Sequence, residues 1–332
     1  RLAVMRGEVA GMHGESGVGA AEAKTALALD LKEQGEYAKA LELLKEALGI
    51  YQAELSEEEQ QQHIGIARAY STMGRVYDNQ GNYVMALEMY EKSLAIIIKA
   101  LGIMGVVYEQ QGKYEMALEQ HKMCLAIRIK ALGEDHPDVA TTYSNIAVVF
   151  GRQGKHAMAL ELYEKCLAIQ VKVHGADHPS LAVPYSNMAL VYAEQGKPAE
   201  ALELYDKCLA IQIKALGGDH PSVAGTYNNI AIVYRSQGNH EMALALYDKC
   251  LDIEFKALGE DHPTVAGTYN NIAIVYYEQG KYKMALELLD KCRSIQINVL
   301  GGDHPDVATN MYSMATVLEK KGELVRAGGL FR

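Results

Sequence analysis

Five Asp-His pairs stand at 135–136, 177–178, 219–220, 261–262 and 303–304. A carboxylate beside an imidazole is the raw material of acid–base catalysis and of metal ligation. Their spacing points elsewhere. Each pair sits inside the phrase Gly-x-Asp-His-Pro, which begins at Gly133, Gly175, Gly217, Gly259 and Gly301, a constant step of 42 residues. Pairs so far apart do not converge, and no third ligand recurs beside them. Polar side chains followed by proline are instead a helix start, because proline's missing N–H costs nothing in the first turn. The five cysteines, Cys124, Cys166, Cys208, Cys250 and Cys292, keep the same step of 42. Equivalent positions on stacked helices lie about 8–10 Å apart, beyond the roughly 7 Å Cα separation a disulfide allows. Nor can four of them surround one zinc ion. They read as small buried apolar side chains in a reducing, cytosolic-type compartment. Gly14-Glu15-Ser16-Gly17-Val18-Gly19 has the glycines of a phosphate loop, but Ala20-Ala21-Glu22-Ala23 intervenes before Lys24-Thr25. The Lys-Ser/Thr that should follow the last glycine directly is missing. No nucleophile beside an oriented base stands out, so neither an enzyme nor a cofactor is expected.

The elements that carry these residues are written most clearly between Asp219 and Gly259. After Pro221, Val223, Tyr227, Ile230, Ala231 and Tyr234 recur in steps of three and four, one face of a helix. Gln237-Gly238-Asn239 interrupts. Ala243, Leu244, Tyr247, Cys250, Leu251 and Ile253 then mark a second helix ending near Leu258-Gly259. Two such helices cannot bury both faces alone. Stacking on the next pair completes the burial, which is the logic of a solenoid.

The pattern Tyr227, Ile230, Ala231, Tyr234, Gly238, Ala243, Tyr247, Cys250 resembles the tetratricopeptide repeat. With the 42-residue period, the Gly-x-Asp-His-Pro-x-Val-Ala linker and Tyr227-Asn228-Asn229-Ile230-Ala231, it resembles more narrowly the repeats of kinesin light chains and kinesin-light-chain-like proteins. The resemblance spans residues 113–322. It implies an all-α, right-handed α-solenoid (superhelix) of tetratricopeptide helix pairs, with first helices lining a concave groove.

The register extends upstream. Residues 1–20 read as a glycine-rich lead-in and 21–332 as the array, about eight helix pairs. Residues 21–50 fit a first copy with its turn at Gly35, and 64–101 a second with Gly74, Gly81 and Tyr90. The last copy starts at Asp303 and breaks off after Phe331, its second helix weakened by Gly328-Gly329. Chain ends at Arg1 and Arg332 make the sequence read as a fragment. One interval is irregular: Gly81 to Gly112 is 31 residues, 11 short of the period. The missing stretch corresponds to Glu134–Ser144. Either the third copy has a stunted first helix, or a segment is absent between Gly102 and Ile103; the second reading is favoured. Pro184, inside a first helix, is expected to bend it.

Composition narrows the partners. Net charge is −10 and charged residues make up 22%. That argues against nucleic acid, which calls for a basic stripe, and against anionic membranes. No uninterrupted apolar run approaches the 18 or so residues of a membrane span, and no secretory signal is visible. Glu161–Lys165 and Glu203–Lys207 are i,i+4 pairs on solvated faces.

What remains is a protein or peptide partner. Asn145, Asn187, Asn229 and Asn271 fall in one column of the first helix, beside Ser144, Ser186, Asn228 and Asn270. Asparagine is a poor helix former, so its recurrence suggests a use. The resemblance implies that this column bonds the backbone of a bound peptide. An internal ladder of amides, or plain duplication of the copies, explains it equally well. Arg152, Arg235 and Tyr277 would add contacts along the rim. Glu194 and Glu278 stand in the column of Arg152, which puts a strongly acidic ligand in doubt. The ladder stops at Ser313, and Ala26 and Thr72 precede it. The expected role is a scaffold that holds a partner in the groove. The rivals are a bridging subunit of a large assembly, working through its outer faces, and a sensor arm of a larger NTPase or protease.

Overall fold

The structure is a computed structural model and describes residues 17–329. All regular elements among these residues are helical. In chain order they are α1 (Val18–Glu33), α2 (Tyr37–Glu54), α3 (Glu57–Gln60), α4 (Ile64–Asn79), α5 (Tyr83–Gln110), α6 (Tyr114–Leu132), α7 (Pro137–Arg152), α8 (His156–His174), a 3₁₀ turn (Pro179–Leu181), α9 (Ala182–Glu194), α10 (Pro198–Leu216), α11 (Pro221–Ser236), α12 (His240–Leu258), α13 (Pro263–Glu278), α14 (Tyr282–Leu300), α15 (Pro305–Lys321) and α16 (Leu324–Gly329). The chain divides into two compact units, one ending at Val149 and one beginning at Phe150.

In the second unit the pairs α9/α10, α11/α12 and α13/α14 pack closely, and each second helix also packs on the next first helix. One continuous core results. Tyr205 and Tyr247 are wholly buried between helices, and Ala189, Ala201, Ala231 and Ala243 give them room. Each four-residue linker opens on a glycine in the left-handed region, such as Gly217 at φ 87°. That conformation costs glycine nothing and other residues dearly.

The first unit holds the irregular interval. The sequence left a stunted helix or an absent segment as the readings; the structure has neither a break nor a short helix there. Gly102 and Ile103 are neighbours inside α5, 28 residues long. An ordinary second helix such as α6 has 19 residues and an ordinary first helix such as α7 has 16. Fused into 28, they share seven. Those seven, with the four linker residues, make up the missing 11. The shared stretch is Ala95-Ile96-Ile97-Ile98-Lys99-Ala100-Leu101, apolar nearly all round, as a segment serving two neighbours should be. The N-terminal half of α5 packs on α4 and its C-terminal half on α6. The cause of the fusion is local: nothing after Gly102 supplies the Asp-His-Pro stop and restart. Among the described residues α5 is the one helix long and apolar enough to cross a membrane by length and composition.

Two smaller expectations are corrected. The lead-in does not reach residue 20, because α1 already begins at Val18. Ala20-Ala21-Glu22-Ala23 are strong helix formers with nothing to stop them. Gly14–Ser16 of the phosphate-loop look-alike, and Phe331, lie outside the described residues. Pro184 sits in the first turn of α9, not in a helix interior. Lacking an N–H, it delays the α-helix to Ala182, and the preceding turn is 3₁₀.

Candidate functional site

The Asp-His-Pro phrases are caps, with the imidazole doing the capping. Nδ1 of His136, His178, His220, His262 and His304 accepts the backbone N–H two residues on, at 3.1–3.2 Å. A ring nitrogen that accepts this bond is unprotonated. Asp177 and Asp219 are instead turned to Lys214 and Lys256, at 2.8 and 3.3 Å. The lysine beside Asp177 holds that carboxyl below its ordinary range, through a hydrogen bond first and its charge second. His174 and His178, four residues apart, stack at 4.3 Å. The described residues contain no group of three metal-ligating side chains.

The cysteines are free and buried. Burial pushes the Cys166 thiol up to about 11 and Cys250 to about 12. Such thiols stay protonated and poorly nucleophilic. Cys250 donates instead to the Ala224 carbonyl at 3.2 Å.

A second repeated device was not read from the sequence. Gln170 accepts from Ser180 (2.8 Å) and Gln212 from Thr226 (2.7 Å). Glu254 accepts from Thr268 at 2.9 and 3.1 Å. Each bond ties a second helix to the start of the next copy, at the 3₁₀ turn for Ser180 and on a first helix for Thr226 and Thr268. The column reads Gln170, Gln212, Glu254 and Gln296, polar residues that no apolar periodicity marks. Glu254 is only 2% exposed, and burial raises its pKa against the smaller opposing effect of the Thr268 hydroxyl.

The amide column is partly a ladder. Asn271 donates to Asn228 at 2.8 Å across successive first helices. Asn187, Asn229 and Asn270 are half-buried and make no side-chain hydrogen bond. Arg235 is not a free rim cation: its Nε lies 3.9 Å from Glu278, which also faces His240 at 3.6 Å. Arg152 is exposed. Asn145 belongs to the first unit, where it lines a different cavity with His121 and Arg128.

Asn270 and Tyr277 meet at a cavity of about 290 Å³ between α13 and α15, with Ala273, Ile274, Leu289, Tyr312, Ser313, Thr316 and Val317. Its origin is a substitution. Tyr163, Tyr205 and Tyr247 fill the equivalent space in earlier copies, and Leu289 stands in their column. Tyr312 replaces the Ser/Asn of the neighbouring column and walls the opening. Both exchanges were visible in the sequence as departures from the repeat.

A tetratricopeptide repeat family model matches residues 19–99, 96–171, 144–214, 180–254 and 264–331. The chain belongs to the tetratricopeptide repeat family. Among curated proteins none matches it. Among solved structures, the kinesin-light-chain-like protein of Podosopora anserina with nearly identical TPR-like repeats is 29% identical. The match covers 60% of this chain and 95% of that one at a TM-score of 0.52. BtubC (BKLC) from P. vanneervenii is 20% identical over 71% of this chain and 87% of its own, TM-score 0.53. A Rap protein solved with Competence and Sporulation Factor is 13% identical, covering 95% and 96%, also at 0.53. The last two share the fold. The tetratricopeptide array is therefore of the kinesin-light-chain-like type, and its general character is that of a protein-interaction scaffold.

Proposed function

We propose that this scaffold holds an extended partner segment along the first-helix face of α9, α11, α13 and α15, with an apolar side chain seated in the cavity beside Leu289. The observation that carries the reading is the juxtaposition on one face of half-buried, unpartnered amides (Asn187, Asn229, Asn270) with an apolar cavity. Amides of this kind bond peptide backbone, and a pocket fixes one side chain, so affinity and specificity come from different residues. The Rap protein solved with Competence and Sporulation Factor is a precedent for a bound complex on this fold. The Asn228–Asn271 bond supports a second, structural role for part of the column. The test compares the full chain with two variants in affinity capture followed by binding measurement on the recovered partner. Asn187→Ala with Asn229→Ala weakens binding with helicity unchanged, and Leu289→Tyr, which refills the cavity, weakens it without loss of stability. Unaltered affinity in both moves the site to the outer faces.

A further inference from the structure

The cavity that α5, α6 and α7 enclose in the first unit has a volume of about 400 Å³, within the range of small-molecule pockets. Its charge runs against that of the whole chain. The protein carries a net charge of −10, yet among the described residues two cations, Lys99 and Arg128, line this cavity and no carboxylate does. Arg128 stands in the column of Gln170, Gln212 and Glu254 and makes the same kind of bond. Its Nη1 donates to Thr142 Oγ1 at 2.7 Å and to the Asp138 carbonyl at 2.9 Å. An amide serves for that in the other copies; the guanidinium adds a charge that the helix contact does not use. Nε is buried without a partner, and Nη2 makes no bond. Among the described residues no carboxylate forms an ion pair with Arg128, and Lys99 donates only to the neutral Gln61 amide. The titratable neighbours in the wall supply no negative charge either. Burial lowers the pKa of His121 and raises that of Cys124, so both are held neutral. A half-buried cation without a counter-ion is costly, and an unbonded buried N–H adds to the cost.

We infer that this cavity binds an aliphatic monocarboxylate, with the carboxylate on the Nε–Nη2 edge of Arg128 and the chain against Ile103, Val106 and Val107. The parallel N–H groups of one guanidinium edge match the two oxygens of a carboxylate. The hydrocarbon wall decides the rest of the ligand. Ile103, Val106 and Val107 are 39–42% exposed at the cavity. Their side chains offer a peptide backbone nothing to bond, whereas a methylene chain gains from every group it buries there. The site lies in the first unit, apart from the peptide face proposed above for the second.

The full chain, labelled at its isoleucine and valine methyls, is titrated by NMR with octanoate, acetate, 1-octanol, N-acetyl-dileucine or inorganic phosphate. Octanoate is expected to shift the Ile103, Val106 and Val107 methyls and the His121 ring. Acetate and 1-octanol each lack one half of the ligand and should bind at least about tenfold more weakly. Arg128→Gln restores the amide of the column, and should lose octanoate by a similar factor with unchanged circular dichroism. Val106→Glu, at an exposed position, sets a carboxylate beside the cavity and should block octanoate independently. Octanoate that leaves these resonances unmoved, 1-octanol or phosphate binding as tightly as octanoate, or variants that bind it like the parent would each overturn the inference. So would tighter binding of N-acetyl-dileucine, in favour of a peptide end.

Discussion

The stretch from Tyr83 to Gln110 and the stretch from Pro221 to Glu278 are built from the same residue columns, yet they do opposite things with them. In the second, linkers of three and four residues fold each helix back on its predecessor, and Ile230, Val233, Ile272 and Val275 are buried. In the first, the linker is gone, two helices become one, and Met104 and Val107 face solvent. Helix-forming columns alone do not make a solenoid. The glycine and the capping phrase, which reverse the chain, decide whether adjacent helices become partners or one rod.

The units also differ in the titratable groups they bury. In the first, His121 occupies the column of Tyr163, Tyr205 and Tyr247. Its ring is wholly buried against Gly105 with neither nitrogen bonded. Burial lowers its pKa, helped by the Arg128 charge. In the second, the buried Glu254 is shifted upward. The two groups should therefore respond to pH in opposite senses.

The largest effect is expected where packing is tightest. Ala231→Trp places a large ring at a position with no exposed surface and should cost at least about 3 kcal/mol. A normal melting curve would mean the repeat register is misassigned. Next is His121→Leu, which removes an unbonded buried ring and should gain about 1–2 kcal/mol at pH 7. Because the folded pKa of His121 lies below its unfolded value, wild-type stability falls as pH drops through about 6.5, by up to about 1.4 kcal/mol per pH unit. The variant should lack that slope in urea melts between pH 7.5 and 5. Glu254→Gln restores the residue type of Gln170 and Gln212 and should add about 1 kcal/mol at neutral pH. The sign is reversed here: a raised folded pKa means stability is lost as pH rises through it, so the gain should vanish below about pH 4. Smallest is a glycine pair. Gly102→Ala meets nothing within 4 Å in a helix and should stabilise by about 0.5–1 kcal/mol. Gly133→Ala, at φ 88°, should destabilise by a similar amount. Equal effects at both would make Gly102 a linker glycine.

Much of this was legible in the sequence, because a period of 42 writes each column several times. Helix pairs, turns, buried cysteines and capping phrases follow from local chemistry repeated in register. The amide column was equally visible, but its use was not. Whether an asparagine bonds its neighbour, as Asn271 does, or stays unpartnered, as Asn187 does, depends on side-chain reach between helices 42 residues apart. The Arg235–Glu278 pair was hidden for the same reason, since it forms across copies. The fate of the shortened copy was hidden too: a missing linker is compatible with a gap, a short helix or a fusion, and only continuity of the backbone separates them.

Residue-resolved hydrogen exchange across Leu101, Gly102, Ile103 and Met104 tests that continuity most directly. One unbroken helix predicts slow exchange through all four amides, matching their neighbours at Ala100 and Gly105. Rapid exchange confined to Gly102 and Ile103 would show a hinge or loop there and contradict the shared helix.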